Sequence, residues 1–199
     1  MSGIINQIGS KSGVIGQISG GFTKIASFVS TTTTDFPNVF SSTFNNYHVV
    51  ISHLTPASDD VACYLRLLDT SGSQTTDQDY AYATGGSYMN SGGGGNDQFR
   101  GRWKGENEAN KWEISPAGAN VGSGTGEGLN CTFTFFDPFS STNFCYVGGQ
   151  SVMLQEGGDQ IRTSHFSGVY HDSMSAGGFK VYFSSGVPAK SVVNVYGYG

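Results

Sequence analysis

The side chains that could perform acid–base chemistry are few, and their spacing matches no standard site. The histidines are His48, His53, His165 and His171. His165, His171 and Asp172 could form a metal or acid–base cluster, but they lack the spacing of a known ligand motif. An isolated histidine on a strand is more often structural than catalytic. We therefore predict no catalytic residue at these positions.

Aspartates offer a second set of ligands. Asp59 and Asp60 are adjacent, and Asp77 and Asp79 are close in sequence, so either pair could hold a calcium ion. Neither pair lies in the calcium-loop pattern, and aspartate beside a turn is common. The chain also has no nucleophile-elbow, zinc-protease or phosphate-loop motif. We predict that the protein is not an enzyme and uses no metal or cofactor. The remaining catalytic hypothesis is a carbohydrate-active enzyme whose carboxylate pair is hidden in the sequence.

The charge of the chain argues against a nucleic-acid partner. Its formal net charge is −5, and 13% of its residues are charged. The basic cluster consists of Arg100, Arg102 and Lys104, which alternate with apolar or small residues. This pattern favours the solvent-exposed face of one strand over a phosphate or sialic-acid site.

Aromatic side chains give a possible carbohydrate site, because sugar rings stack on aromatic planes. Trp103 has the same strand parity as Phe99, and Trp112 has the same parity as Ile114. Core packing is therefore the favoured interpretation of both tryptophans. The candidates for stacking are Tyr80, Tyr82, Tyr88, Trp103, Trp112 and Tyr146.

The cysteines predict a reduced protein. Cys63, Cys131 and Cys145 cannot all pair, and no C-x-x-C motif is present. Cys63 and Cys131 alternate in register with apolar neighbours, which predicts that both are small core residues. We expect folding in a reducing cytosol, and the alternative is one disulfide with a leftover thiol. We also expect no secretory signal and no membrane insertion, since no run of 18 apolar residues occurs.

Period-two alternation begins at Phe22 and predicts an all-β fold. Thirty glycines and five prolines indicate short strands with many turns. Many short strands with one apolar face are best buried in an antiparallel β-sandwich of jelly-roll type, formed by residues 22–199. The expected strands are Phe22–Ser30, Tyr47–Leu54, Val61–Leu68, Asp79–Thr84, Gln98–Lys104, Lys111–Ser115, Asn130–Phe136, Ser151–Gln155, Ile161–Tyr170, Gly178–Ser184 and Ser191–Gly197.

Two glycine-rich segments are predicted to be loops. They are Gly85–Asp97 and Ala117–Gly128, and both are too rich in glycine to pack by themselves. The final two strands, with Phe179, Val181 and Phe183 alternating in the first, predict a half-buried hairpin that closes the edge of the domain.

The first 21 residues form a predicted extended N-terminal arm. Glycines interrupt any helix, and the apolar residues are too sparse to make a core. A frayed terminus is the simpler interpretation. An arm that orders against a partner subunit explains the six aliphatic side chains better. These partner-binding residues are Ile4, Ile5, Ile8, Val14, Ile15 and Ile18.

Three segments together resemble a family of virion proteins of marine and other tailed bacteriophages. The segment INQIGSKSGVIG, residues 5–16, resembles their N-terminal arm. The segment Phe36–Asp69, with HVVISHLTPASDDVACYLRLLD, looks like a recurrent strand pair, and Gly178–Gly199 resembles their closing hairpin.

The resemblance implies a homo-oligomeric jelly-roll subunit on the virion surface, assembled in the host cytoplasm. Such a subunit would decorate or cement the capsid as a trimer, with the major capsid protein or tail proteins as partners. The alternative is a tail or fibre component that binds host-surface glycans. The family offers no catalytic residue to transfer to this sequence.

Overall fold

All regular structure in the described part of the chain is β. The computed structural model describes residues 21–30, 32, 34–90, 99–116, 119–154 and 160–199. No helix in these ranges is long and apolar enough to cross a membrane. The strands are β1 (Thr23–Ser30), β2 (Asp35–Phe36), β3 (Asn46–Pro56), β4 (Cys63–Asp69), β5 (Tyr80–Asn90), β6 (Phe99–Ala109), β7 (Trp112–Glu113), β8 (Gly128–Phe136), β9 (Cys145–Leu154), β10 (Gln160–Tyr170), β11 (Ala176–Phe183) and β12 (Pro188–Tyr198).

The strands form two antiparallel sheets, which confirms the predicted β-sandwich. The large sheet has eight strands in the order β1-β12-β3-β8-β9-β10-β5-β6. The small sheet has four strands in the order β2-β11-β4-β7. Strands that are distant in sequence lie side by side, and consecutive strands often change sheet.

A jelly roll lies within this arrangement. Four strands of the large sheet, β1-β12-β3-β8, face the four strands of the small sheet, β2-β11-β4-β7, in the order in which a jelly roll is wound. Two further antiparallel pairs, β9–β10 and β5–β6, continue the large sheet beyond β8. We call these four strands the extension. The small sheet has no corresponding strands among the described residues.

The core lies between the sheets and is built by alternation. In β8, Cys131, Phe133 and Phe135 point inward, whereas Thr132 and Thr134 are partly exposed on the other side. Phe179 of β11 is at the centre of an aromatic cluster, with ring centroids 5.0 to 6.1 Å from those of Phe36, Phe40, Phe133 and Phe135.

The predicted closing hairpin is wrong. β11 lies between β2 and β4 in the small sheet, while β12 lies between β1 and β3 in the large sheet. The four residues that separate them therefore cross from one sheet to the other, and neither strand is at an edge. The strand pair expected within Phe36–Asp69 is wrong for the same reason, because β3 and β4 belong to different sheets. Alternation identifies a buried face but does not identify the sheet that a strand joins.

The predicted glycine-rich loops need correction. Gly85–Asn90 continue β5 and pair with β10, and Gly85–Met89 pair with β6 as well, while residues 91–97 lie outside the described ranges. In the second segment, Val121 is buried and exchanges two backbone hydrogen bonds with Val61. That segment is fixed by its neighbours despite its glycine content, and Gly128 already belongs to β8.

Candidate functional site

The outer face of the large sheet, turned away from the small sheet, exposes a tryptophan. Trp103 on β6 is 86% exposed, so its predicted place in the core is wrong. β6 is an edge strand of the extension, and residues 103–108 are all exposed. No described residue covers the outer face of β6, so the parity of Trp103 does not indicate a core.

The indole of Trp103 lies over Gly85 of the neighbouring strand. These residues are register partners, and a Cβ added to Gly85 would lie 1.9 Å from Cε3 of the indole. The missing side chain therefore makes room for the six-membered ring against the sheet backbone. Its position combines contact with the sheet and wide exposure to solvent.

A groove of about 580 Å³ crosses the same outer face of the extension. Trp103 does not line it but occupies the next outward-facing position of β6 after Gly105. The floor of the groove is made of small residues on alternate positions of adjacent strands, including Ala81, Ala83 and Gly105. Tyr146 of β9, 53% exposed, stands at its other side. Sequence analysis missed this floor, although every second residue of β5 from Ala81 to Ser87 is small.

A second groove, of about 510 Å³, opens across β3, β8, β9 and β10. The exposed or partly exposed side chains in its lining are mostly amides and hydroxyls, with two aliphatics, Val50 and Val152, and one imidazole, His165. The outward-pointing polar members are Ser52, Asn130, Thr132, Gln150 and Thr163. Both grooves are thus on the outer face.

The other predicted stacking residues do not join this face. Tyr80 and Trp112 are in the core, with ring centroids 4.9 Å apart. Tyr82 is buried on the inner face. The side chain of Tyr88 lies outside the described part of the structure.

Lys104 is exposed, as predicted, and its ammonium group also takes part in a polar cluster that joins the two sheets. Its Nζ lies 2.5 Å from the Glu113 carboxylate, which is buried at β7. Tyr82 donates its hydroxyl to Glu113 at 3.4 Å and to Glu106 at 3.3 Å. Burial and these two carboxylates raise the pKa of Tyr82. The side chains of Arg100 and Arg102 are outside the described residues.

The histidines are separated from one another. His165 is exposed on the outer face, paired with Gly85 and Gln150, whereas His171 follows the end of β10. His53 is exposed at an irregularity in β3, with φ of 54° and its N–H donating to Asn130. The structure therefore does not bring His165 and His171 together into the cluster that was considered and not favoured from the sequence. The predicted alternation of Tyr47–Leu54 does not extend through His53.

His48 occupies a fixed position on the outer face. Its Nδ1 lies 3.1 Å from Thr134 Oγ1, and its Nε2 lies 2.9 Å from Thr132 Oγ1. The ring of Phe22 covers it at a centroid distance of 5.3 Å. Burial lowers the pKa of His48 below its ordinary value of 6.5. Its surroundings therefore disfavour the protonated form of the imidazole.

Asp59 and Asp60 have a structural explanation. Asp59 accepts the N–H of Ser123 and Asp60 accepts the amide of Asn120, each at 2.8 Å, so both aspartates hold the second glycine-rich segment.

Asp77 and Asp79 meet Asp172, with one carboxylate oxygen from each lying within 4.8 Å of the others. Tyr170 donates its hydroxyl to Asp77 at 2.9 Å, and the backbone N–H of Ser173 donates to Asp172 at 2.7 Å. Such exposed acidic groups are common at turns.

All three cysteines are buried and free, as predicted for Cys63 and Cys131. Burial raises the pKa of the Cys131 thiol to about 12 and raises that of Cys63 well above its ordinary value. They are therefore poor nucleophiles and act as small core residues.

The other edge of the large sheet is apolar. Phe22, which directly precedes β1, is 61% exposed, and β1 itself exposes Ile25 at 37% and Val29 at 80%. β1 pairs with β12 on one side. The predicted arm precedes this strand directly in the sequence. Its residues Ile4, Ile5, Ile8, Val14, Ile15 and Ile18 lie outside the described residues.

Comparison with known proteins gives little. No protein-family model matches the chain, and no curated protein matches it. A solved structure, the crystal structure of the infectious bursal disease virus VP2 subviral particle, is similar with a TM-score of 0.15 and 11% identity. The alignment covers 92% of this chain and 37% of that chain, so this chain spans little more than a third of it. A similarity this low supports no inference.

Proposed function

We propose that this chain is a structural virion protein of a tailed bacteriophage, which decorates or cements the capsid as a homotrimer anchored by its N-terminal arm. The main observation in support is the edge strand β1, which exposes Ile25 and Val29 and is directly preceded by the exposed Phe22. An edge strand with exposed apolar side chains offers both backbone and hydrophobic surface to a partner.

The arm extends this argument in the sequence. It places six aliphatic residues immediately before the apolar edge. Burying four of them would contribute roughly 6–12 kcal/mol, at ~1.5–3 kcal/mol each. Ordering about fifteen residues costs at least as much, at ~1–2 kcal/mol each. A single arm would therefore bind weakly, and linked arms of an oligomer would bind far better through effective concentration.

The test measures occupancy of particles that lack this protein. We expect full-length protein with Ile4, Ile8 and Ile15 changed to serine to lose most of its occupancy, because the apolar contacts are removed. The matched variant with leucine at the same positions keeps the apolar surface and should bind almost normally. Deleting residues 1–20 should leave the β-sandwich folded, as judged by circular dichroism, and abolish attachment.

Two results would contradict this proposal. Equal occupancy by the serine variant and the wild type would show that the arm does not anchor the protein and would favour the interpretation as a frayed terminus. Sedimentation of the wild type as a monomer at high concentration would contradict the proposed homotrimer. The control Val187→Ser, at an exposed aliphatic residue away from β1, should bind particles normally.

A further inference from the structure

We propose that the outer face of the extension binds an uncharged glycan, on a surface that reaches from Trp103 to Tyr146. The jelly roll is complete without these four strands, so the extension is an addition to the scaffold. The proposal concerns recognition and is independent of how the protein attaches to a particle.

Trp103 supplies an aromatic platform. Its ring is seated on Gly85 and remains 86% exposed, so it contributes little buried area to the fold. An indole placed against a backbone by a glycine offers its free surface to a ligand at low conformational cost. The C–H groups of a pyranose ring are suitable partners for such a surface.

The groove begins one outward-facing position along β6 from Trp103, at Gly105. It is an open depression of about 580 Å³, which suits a ligand lying along the sheet rather than one enclosed by the protein. The small side chains of Ala81, Ala83 and Gly105 let a ring approach the sheet closely. Tyr146 can provide a second stacking surface with a hydroxyl for hydrogen bonding.

The lining has no charged side chain directed to this face among the described residues. Glu106 borders the groove, but its carboxylate is on the inner side, where it accepts the hydroxyl of Tyr82. The neighbouring groove presents amides and hydroxyls, such as those of Asn130, Gln150 and Thr163. These groups both donate and accept hydrogen bonds, as sugar hydroxyls do. A phosphate, sulfate or sialic acid would need cations instead.

The length of the surface indicates an oligosaccharide. Trp103 and Tyr146 are three strands apart, or about 14 Å, and about four residues apart along the strands, or about 13 Å. The two aromatic rings are therefore about 20 Å apart at their backbones, which is too far for one sugar ring to contact both.

The experiment uses the full-length protein on a glycan array that contains neutral, sialylated and sulfated oligosaccharides, followed by titration with the best neutral glycan. We expect binding to neutral members. Trp103→Ala should weaken it at least tenfold, and Gly85→Ala should also weaken it because the new Cβ displaces the indole. Tyr146→Ala should weaken long glycans more than monosaccharides. Val187→Ala, an exposed aliphatic control away from this face, should bind normally.

A second readout locates the ligand. Trp112 is buried and Trp103 is exposed, so acrylamide should quench mainly Trp103 fluorescence, and bound glycan should protect it. The proposal is overturned if wild-type protein binds no neutral glycan at millimolar concentration, if it binds charged glycans alone, or if Trp103→Ala binds normally. Unchanged binding by Tyr146→Ala would remove the extended site. The arm variants should bind glycan normally, so failure of the attachment proposal is separable from failure here.

Discussion

The two tryptophans pack against opposite faces of the large sheet, and each lies against one of its glycines. Trp112 packs on Gly168, where an added Cβ would lie 2.5 Å from Cδ1 and Nε1 of its indole. Trp103 packs on Gly85 in the same manner on the outer face. Trp112 is fully buried and donates its indole N–H to the Val169 carbonyl at 3.3 Å, whereas Trp103 is open to solvent.

The difference shows what covers each side of the large sheet. Trp112 belongs to β7 of the small sheet and fills space between the sheets. Trp103 belongs to an edge strand on the face that nothing covers among the described residues. The same local arrangement, a tryptophan packed on a glycine, therefore stabilises the core at Trp112 and leaves the ring of Trp103 accessible to a ligand.

The largest effect should separate the tryptophans by stability. Trp112→Ala should lose ~3–5 kcal/mol of unfolding free energy, as is usual for a buried aromatic. Trp103→Ala should change it by less than about 0.5 kcal/mol, since little area is buried. Chemical denaturation measures both. A loss of several kcal/mol in Trp103→Ala would show that the outer-face tryptophan is structural and would end the contrast.

The two glycines provide a smaller and matched test. Gly168→Ala should lose ~1–3 kcal/mol, because its Cβ meets a fixed core indole and the Ala81 carbonyl at 2.9 Å. Gly85→Ala should lose less than about 1 kcal/mol, because the indole that it meets can move into solvent. Denaturation midpoints of the two variants check the order. Equal losses would mean that Trp103 is held as firmly as Trp112.

Sequence patterns predicted the sandwich because most strands have one buried face. The alternation of Cys131, Phe133 and Phe135 was sufficient for β8, and Trp112 was correctly placed in the core. The same rule failed at Trp103, since no described residue covers the outer face of the edge strand β6. It also could not tell that β11 and β12 join different sheets, because a four-residue connection suits a hairpin and a sheet crossing equally well.

The candidate site was less predictable than the fold. Its aromatic residues, Trp103 and Tyr146, were visible as candidates in the sequence, but the site also depends on the absence of side chains. Gly85 and Gly105 lie in separate strands, and only pairing across the sheet brings them together. Because Gly85 was placed in the predicted loop Gly85–Asp97, the sequence offered no reason to expect it on the surface of a sheet beside a groove.

The smallest expected effect concerns pH at the other end of the outer face. Burial lowers the pKa of His48, so the unfolded chain binds a proton more readily than the folded protein. Stability should therefore fall as the pH drops below the ordinary histidine value of 6.5. His48 faces the hydroxyls of Thr132 and Thr134 and the ring of Phe22, with Tyr196 as its register partner, and none of these supplies a negative charge at neutral pH.

His48→Gln can still hydrogen-bond to a threonine but does not titrate, so its stability should change less than that of the wild type between about pH 8 and about pH 5. Urea denaturation midpoints across this range measure the difference, with the exposed His165→Gln as the control. Identical pH slopes for His48→Gln and the wild type would show that this imidazole does not govern the pH dependence of stability. They would also show that packing by Phe22 does not shield His48, in the same way that no described residue shields Trp103.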